Sequence, residues 1–226
     1  TPEVIDELAW LFSTMSDIAQ THIVLGNHDG NLHNLSQQDA ISPIVNALGR
    51  SSLKVYRSSG TYPLAEGVNA CVFSCFDRNG WSLVAPIDGE INIAMCHAPV
   101  MGANTDQFVI DDGVTGGMFD GFDFTMLGDI HRFQFLDDER RIAYPGSTMT
   151  QDFGETGEKG YILWDIMSHD DFHTAFRPIR NPAPHMTLEY TGDALEMLRA
   201  VKHSCPVGAR VRIRSQGPVS HADQRL

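Results

Sequence analysis

Three segments of the chain combine imidazole, carboxylate and amide side chains with glycine. Leu25-Gly26-Asn27-His28-Asp29-Gly30 carries an apolar run into a Gly-flanked turn. Glycine lets such a turn bend sharply and approach a ligand closely. Residues 91–99 end an apolar run on His97, and Pro99 breaks it. Residues 124–131 run from Phe124 through Gly128 to Asp129 and His131, two residues apart. In extended backbone, positions i and i+2 project to the same side, so Asp129 and His131 are expected to face one site. Taken singly, each segment also reads as a polar turn or, for His97, as a hydrogen-bonded structural residue. Together they place five candidate ligands at strand ends. Imidazole and carboxylate suit divalent Mn, Fe or Zn. Two such ions about 3.5–4 Å apart can clamp an in-line phosphoryl displacement.

The elements that must position these groups read as α/β layering. Thr1-Pro2-Glu3 is a helix start, with Thr1 at the N-cap and Pro2 at the first position. Ile5, Leu8, Phe12, Met15 and Ala19 then recur at helical spacing over residues 2–20. His22-Ile23-Val24-Leu25 is a short buried strand. Residues 37–49 again read as helix, with Pro43 inside the pattern. Strands are expected at 53–57, 70–76, 91–96, 122–127, 133–136, 141–144 and 161–166, with turn residues between most of them. Residues 77–90 and 98–121 remain long loops. Residues 181–184, Asn-Pro-Ala-Pro, read as a linker. Beyond it come a strand at 186–190, a helix at about 193–203 and a basic strand at 209–214. In open α/β sheets, sites gather at the carboxyl ends of strands, where the candidates fall.

The composition suits an ordered globular chain. Of 226 residues, 42% are hydrophobic and 20% charged, which argues against disorder and coiled coil. No apolar run reaches the about 18–20 residues of a membrane span. Cys71, Cys75, Cys96 and Cys205 form no CxxC pair, so neither a thiolate zinc site nor a disulfide scaffold is expected. The net charge is -13, yet half of the 16 Lys and Arg and only 4 of the 29 Asp and Glu lie beyond residue 176. An acidic body with a basic tail permits a nucleic-acid partner that the net charge alone would disfavour.

Gly26-Asn27-His28-Asp29, then Cys96-His97, then Gly128-Asp129-Ile130-His131 resemble, in order and context, the motifs of the calcineurin-like metallophosphoesterases. Asp129 stands where that family usually has His. Tyr144-Pro145-Gly146-Ser147, followed by Phe153-Gly154-Glu155 and Lys159-Gly160-Tyr161, narrows the resemblance to SbcD-type DNA repair nucleases and their phage counterparts. It covers about residues 1–180. The resemblance implies a layered α/β sandwich of mixed sheets flanked by helices, with residues 1–180 as nuclease domain. Residues 181–226 would open a small α+β DNA-binding cap. It implies two divalent ions, Mn(II) above all. Asn27, His97 and Asp129 would hold one ion and His131 the other. His28 would be the non-ligand catalytic imidazole, with Asp29 orienting it or its loop. Arg210, Arg212 and Arg214 would meet DNA.

The implied partners are DNA, an SbcC-like SMC-type ATPase and a second copy of the chain, with no membrane contact. The implied compartment is the cytoplasm of a bacterial cell or phage-infected host. The family also carries D-x-H and G-D-x-x-D before the first motif seen here. The 25 residues ahead of Gly26 contain neither. A chain truncated at both ends is therefore expected, ending inside the cap at Ser220-His-Ala-Asp-Gln-Arg-Leu226, and inactive alone. Two other readings remain: another phosphatase or phosphodiesterase of the superfamily, and a non-catalytic module that binds DNA or the ATPase.

Overall fold

The computed structural model of the protein describes residues 1–219; residues 220–226, expected to end the cap, lie outside them. The chain begins with α1 (Pro2–Ile18), β1 (Thr21–Val24), α2 (Ser42–Leu48) and β2 (Leu53–Tyr56). Six strands follow: β3 (Gly60–Ala65), β4 (Val68–Phe73), β5 (Ile91–His97), β6 (Phe124–Gly128), β7 (Gln134–Phe135) and β8 (Ile142–Tyr144). Then come β9 (Gly160–Ile166), β10 (Phe172–Pro178), β11 (His185–Glu189), α3 (Ala194–Ser204) and β12 (Arg210–Arg214). The class is mixed α/β, as expected.

The six strands form one sheet in the order β3-β4-β5-β6-β8-β7. Its four central strands run parallel, and β3 and β7 close the edges antiparallel. Parallel strands need long crossovers, and here the crossovers are the connections at 74–90 and 98–123. Strand alternation sorts the side chains between two faces. Ala70, Val72 and Met95 pack with Val24 and Tyr56 on one face. Phe73, Ala94, Cys96 and Leu127 pack with Phe119, Val100 and Tyr144 on the other. The parallel pair β1-β2 covers part of the first face, and α1 and α2 pack outside it through Phe12, Ile41, Ile44 and Val45. The hairpin β9-β10 covers more of the same face, where Trp164 and Phe172 meet Phe124 edge-on. Between β1 and β9 an apolar cavity of about 350 Å³ is floored by Met95 and Met126. β11 and β12 pair in parallel across α3, and the Asp193 carboxylate caps α3 by accepting from Leu195 N and Glu196 N.

Several expectations are corrected. α1 stops at Ile18, and Thr1 occupies its N-cap without a side-chain cap bond. α2 spans only Ser42–Leu48, because Pro43 fits the first turn of a helix and not its interior. Strands β3 and β10 were not expected from the sequence. Gly60 and Pro63 mask the alternation of β3, and β10 is paired along its whole length by β9. The long loops contain short 3-10 turns at Arg78–Leu83 and Gly116–Phe119. Within residues 181–184, expected as a linker, Asn181 Nδ2 donates to Thr150 Oγ1 at 2.8 Å and Asn181 Oδ1 accepts from Ala183 N at 3.1 Å. Among the described residues no helix is long and apolar enough to cross a membrane.

Candidate metal centre

β5 and β6 pair so that His97 lies opposite Gly128. That register sets the end of one candidate motif beside the next. β1 ends two residues before Gly26, and its loop reaches over the same sheet end. The result is an open cleft of about 580 Å³ lined by Gly26, Asn27, His28, Asp29, His97, Gly128, Asp129 and His131, with Gly146, Ser147, Thr148 and Gln151 opposite. Every metal or catalytic candidate from the sequence lines it.

Three of them converge. His97 Nε2 lies 3.1 Å from Asn27 Oδ1 and 3.5 Å from Asp129 Oδ1. The imidazole ring fills a slot between two glycines. A Cβ on Gly26 would stand 2.7 Å from His97 Cε1, and one on Gly128 would stand 2.8 Å from His97 Nδ1. Both glycines are thus required by the ring they enclose, which the sequence alone could not indicate. Burial pushes the His97 pKa below that of an ordinary histidine. Asp129 and Asp29 oppose this, and His28 and His131 add to it. The ring is therefore neutral near pH 7.

Asp129 reaches His97 by an unusual backbone. Its φ is 103°, a value that L side chains rarely adopt and that costs about 1–3 kcal/mol. β6 ends at Gly128, so the extended-strand argument for Asp129 and His131 does not hold. Asp129 turns to His97, while His131 Nδ1 lies 2.7 Å from Glu155 Oε1. They line one cleft and take different partners within it.

Asp29 does not contact His28. Its Oδ2 accepts from Gly26 N at 2.7 Å, and its carbonyl accepts from Ala40 N at 2.8 Å, so it closes the turn. His28 is exposed at the rim. Glu155 and Lys159, quoted above only for a resemblance, prove to be contact residues. Lys159 Nζ lies 2.8 Å from Glu155 Oε2 and donates to the His131 carbonyl at 3.0 Å. Burial would raise the Glu155 carboxyl pKa. Hydrogen bonds from Lys159, the Gln151 amide and His131, with the Lys159 charge, outweigh that and lower it. The available signal was a carboxylate four residues before a lysine in an otherwise polar loop.

The basic strand β12 contributes no residue to the lining of this cleft. Arg210, Arg212 and Arg214 are exposed on β12. Arg212 is committed to packing, with its guanidinium 4.8 Å over the Phe153 ring and bonded to Thr187 Oγ1 and the Phe153 carbonyl.

The donor set decides what the cleft could hold. Asn27, His97 and Asp129 present one amide oxygen, one imidazole nitrogen and one carboxylate around one point, a fit for a borderline or hard divalent ion. Among the described residues no group of three or more His, Cys, Asp or Glu could hold a metal ion. Among the described residues His131 stands beside this trio and offers the same cleft one further imidazole, so Asn27, His97 and Asp129 could hold one ion and His131 adds a ligand next to it. Gly128→Ala tests the slot. It should cost about 1–3 kcal/mol of stability, as overpacking does, and displace the ring enough to weaken Mn(II) binding at least about ten-fold. Calorimetric titration with Mn(II) checks it, and undiminished binding would show that the ring position is immaterial.

No protein-family model matches the chain. Over 187 residues, 74% of the chain, it is 33% identical to "Uncharacterized protein R555" of Acanthamoeba polyphaga mimivirus. Over 88 residues, 37% of the chain, it is 35% identical to "Uncharacterized metallophosphoesterase YhaO" of Bacillus subtilis (strain 168). The matched stretches cover 13% of the viral protein's length and 21% of the bacterial one's. The partial likeness to YhaO supports the calcineurin-like metallophosphoesterase superfamily and, with it, a hydrolase.

Proposed function

We propose that this chain belongs to the nuclease subunit of an SbcCD-like DNA repair complex, a Mn(II)-dependent phosphodiesterase acting on the DNA backbone. In this reading the sheets form the layered sandwich of the superfamily. The observation that carries it is the meeting of Asn27, His97 and Asp129 at one point, beside an exposed His28, at the carboxyl ends of parallel strands. Asn27, His97 and Asp129 would hold one ion, and His131 would contribute to a second. Bound divalent ions supply charge neutralisation at phosphoryl oxygens and a lowered pKa for water.

The remaining roles fall to the chain itself. His28 faces solvent at the rim, where its imidazole could serve as general acid to the leaving oxygen. Asp29 holds the His28 loop through the Gly26 amide. Arg210 and Arg214 are exposed, with no side-chain bond among the described residues, and could meet phosphates, so DNA binding should weaken with salt. An SMC-type ATPase and a second copy of the chain are the partners this reading requires. Residues 181–226 would then be the start of the DNA-binding cap.

That no group of three or more His, Cys, Asp or Glu among the described residues could hold a metal ion favours a second reading, a module that binds DNA or the ATPase without catalysis. Hydrolysis separates the two. The whole protein that carries this sequence should cleave linear DNA in Mn(II), and Asp129→Ala should weaken its Mn(II) binding. A whole protein inert on DNA yet bound to its ATPase would establish the second reading. Hydrolysis of phosphomonoesters with none of DNA would point to another phosphatase of the superfamily. The 226-residue chain alone is expected to show no turnover above its own His28→Ala variant. Cleavage by the chain and not by that variant would overturn the ligand count.

A further inference from the structure

Glu155 and Lys159 form a buried ion pair beside the cleft, with side chains 6% and 3% exposed. Burying two charges is costly unless their hydrogen bonds are satisfied. Here they are satisfied largely through one residue. Glu155 Oε1 meets His131 Nδ1 at 2.7 Å, Glu155 Oε2 meets Lys159 Nζ at 2.8 Å, and Lys159 Nζ donates to the His131 carbonyl at 3.0 Å. The ring and the backbone of His131 are thus gripped by the two ends of one pair. The Gly146 turn presses on the same backbone, since a Cβ there would stand 2.8 Å from the His131 carbonyl oxygen. The Ser147 amide donates to that oxygen as well, at 3.2 Å.

From this geometry we infer that Glu155 and Lys159 are positioning residues that hold the His131 imidazole in its Nδ1–H tautomer, leaving the Nε2 lone pair free for a divalent cation in the cleft. The inference rests on the proposed metal site. A carboxylate only accepts, so a neutral imidazole bonded to it through Nδ1 must carry its proton there. The other nitrogen is then the ligand atom. Lys159 gives the arrangement its direction. Together with the Gln151 amide, which donates to Glu155 Oε2 at 3.1 Å, it keeps one carboxylate oxygen occupied and turns the other toward His131.

Glu155→Gln makes this testable, because an amide has one acceptor and one donor end. Lys159 and the Gln151 amide are both donors and will claim the amide oxygen. The NH2 group must then face His131 Nδ1, which becomes an acceptor, and the proton moves to Nε2. The probe is the metal-free protein with 15N-labelled histidine at alkaline pH, where imidazoles are neutral. Two-bond nitrogen–proton correlations assign the tautomer. Wild type should show His131 protonated at Nδ1, and Glu155→Gln should show it protonated at Nε2. Unchanged signals of His169, which bonds Asp123 elsewhere in the fold, report that the variant is folded.

A merely structural pair would change stability without reversing the tautomer. Mn(II) titration of the whole protein should show binding weakened about 10- to 100-fold in the variant. Two results would overturn the inference: Nε2–H in wild type, which needs no variant at all, or Nδ1–H retained in a folded Glu155→Gln protein. The tautomer is read without metal, so failure of the phosphodiesterase reading would show separately, as a wild type that binds no Mn(II).

Discussion

His28→Ala in the whole protein is expected to lower kcat on DNA by about 10²- to 10⁴-fold, the usual contribution of a positioned acid or base, and to leave Mn(II) affinity unchanged. The split follows from the geometry. His28 stands exposed beside Asn27 but outside the trio that converges on His97 Nε2. Among the described residues its ring has no hydrogen-bond partner. Its loop is held by other atoms: Asp29 Oδ2 on Gly26 N, and Ala40 N on the Asp29 carbonyl. Removing the imidazole therefore removes a proton donor and little structure. Initial rates on DNA in Mn(II), with metal titration of both proteins, check the prediction. A variant with wild-type kcat would remove His28 from the chemistry. A variant that fails to bind Mn(II) would make His28 a ligand instead.

Asp39→Ala is expected to destabilise the fold by about 1–3 kcal/mol, the cost of leaving the buried donors at the start of α2 without their acceptor. The Asp39 side chain is fully buried against Arg57, with Nη1 to Oδ2 at 2.7 Å. The carboxylate also accepts from Ile41 N at 3.0 Å, Ser42 N at 2.6 Å and Ser42 Oγ at 2.9 Å, which starts α2. Arg57 meanwhile donates to the Leu35 and Gln37 carbonyls and stacks over Phe76. One carboxylate thus ties α2, the end of β2 and the long loop behind His28 together. Burial would raise its pKa, but the bonds from Ser42, Arg57 and Ile41 outweigh burial and lower it. A carboxyl lowered on folding contributes stability above its unfolded pKa of about 3.9, and that contribution is lost as the pH falls toward the folded value. Wild type should therefore lose stability in acid, and Asp39→Asn should show a flatter profile there. Urea unfolding across the acid range measures both. Equal slopes for the two proteins would show that Asp39 is not the group that titrates.

The site was legible where ligand chemistry coincides with strand ends. Gly26-Asn27-His28-Asp29, His97, Asp129 and His131 could be picked out because polar side chains right after buried apolar runs lack a packing reason. All of them line one cleft. The fold class was legible for a similar reason, since β5 and β6 are buried on both faces and read as continuous apolar runs. Strands such as β3, with Gly60 and Pro63 in it, hid because their pairing is decided by a neighbour and not by their own pattern.

By itself, the amino-acid sequence determined the mixed α/β class, the candidate ligands and their order along the chain, because residue type and burial periodicity are local properties. Only the tertiary structure decided how those residues divide. The register of β5 on β6 sets Gly128 against His97, and Asp129, at positive φ, places its carboxylate beside that ring. His131 is given instead to Glu155, 24 residues further on, whose partner Lys159 reaches back to the His131 carbonyl. The reason is physical: a contact between residues distant in sequence depends on strand register and backbone rotation, and neither is carried by the spacing of the residues that make it.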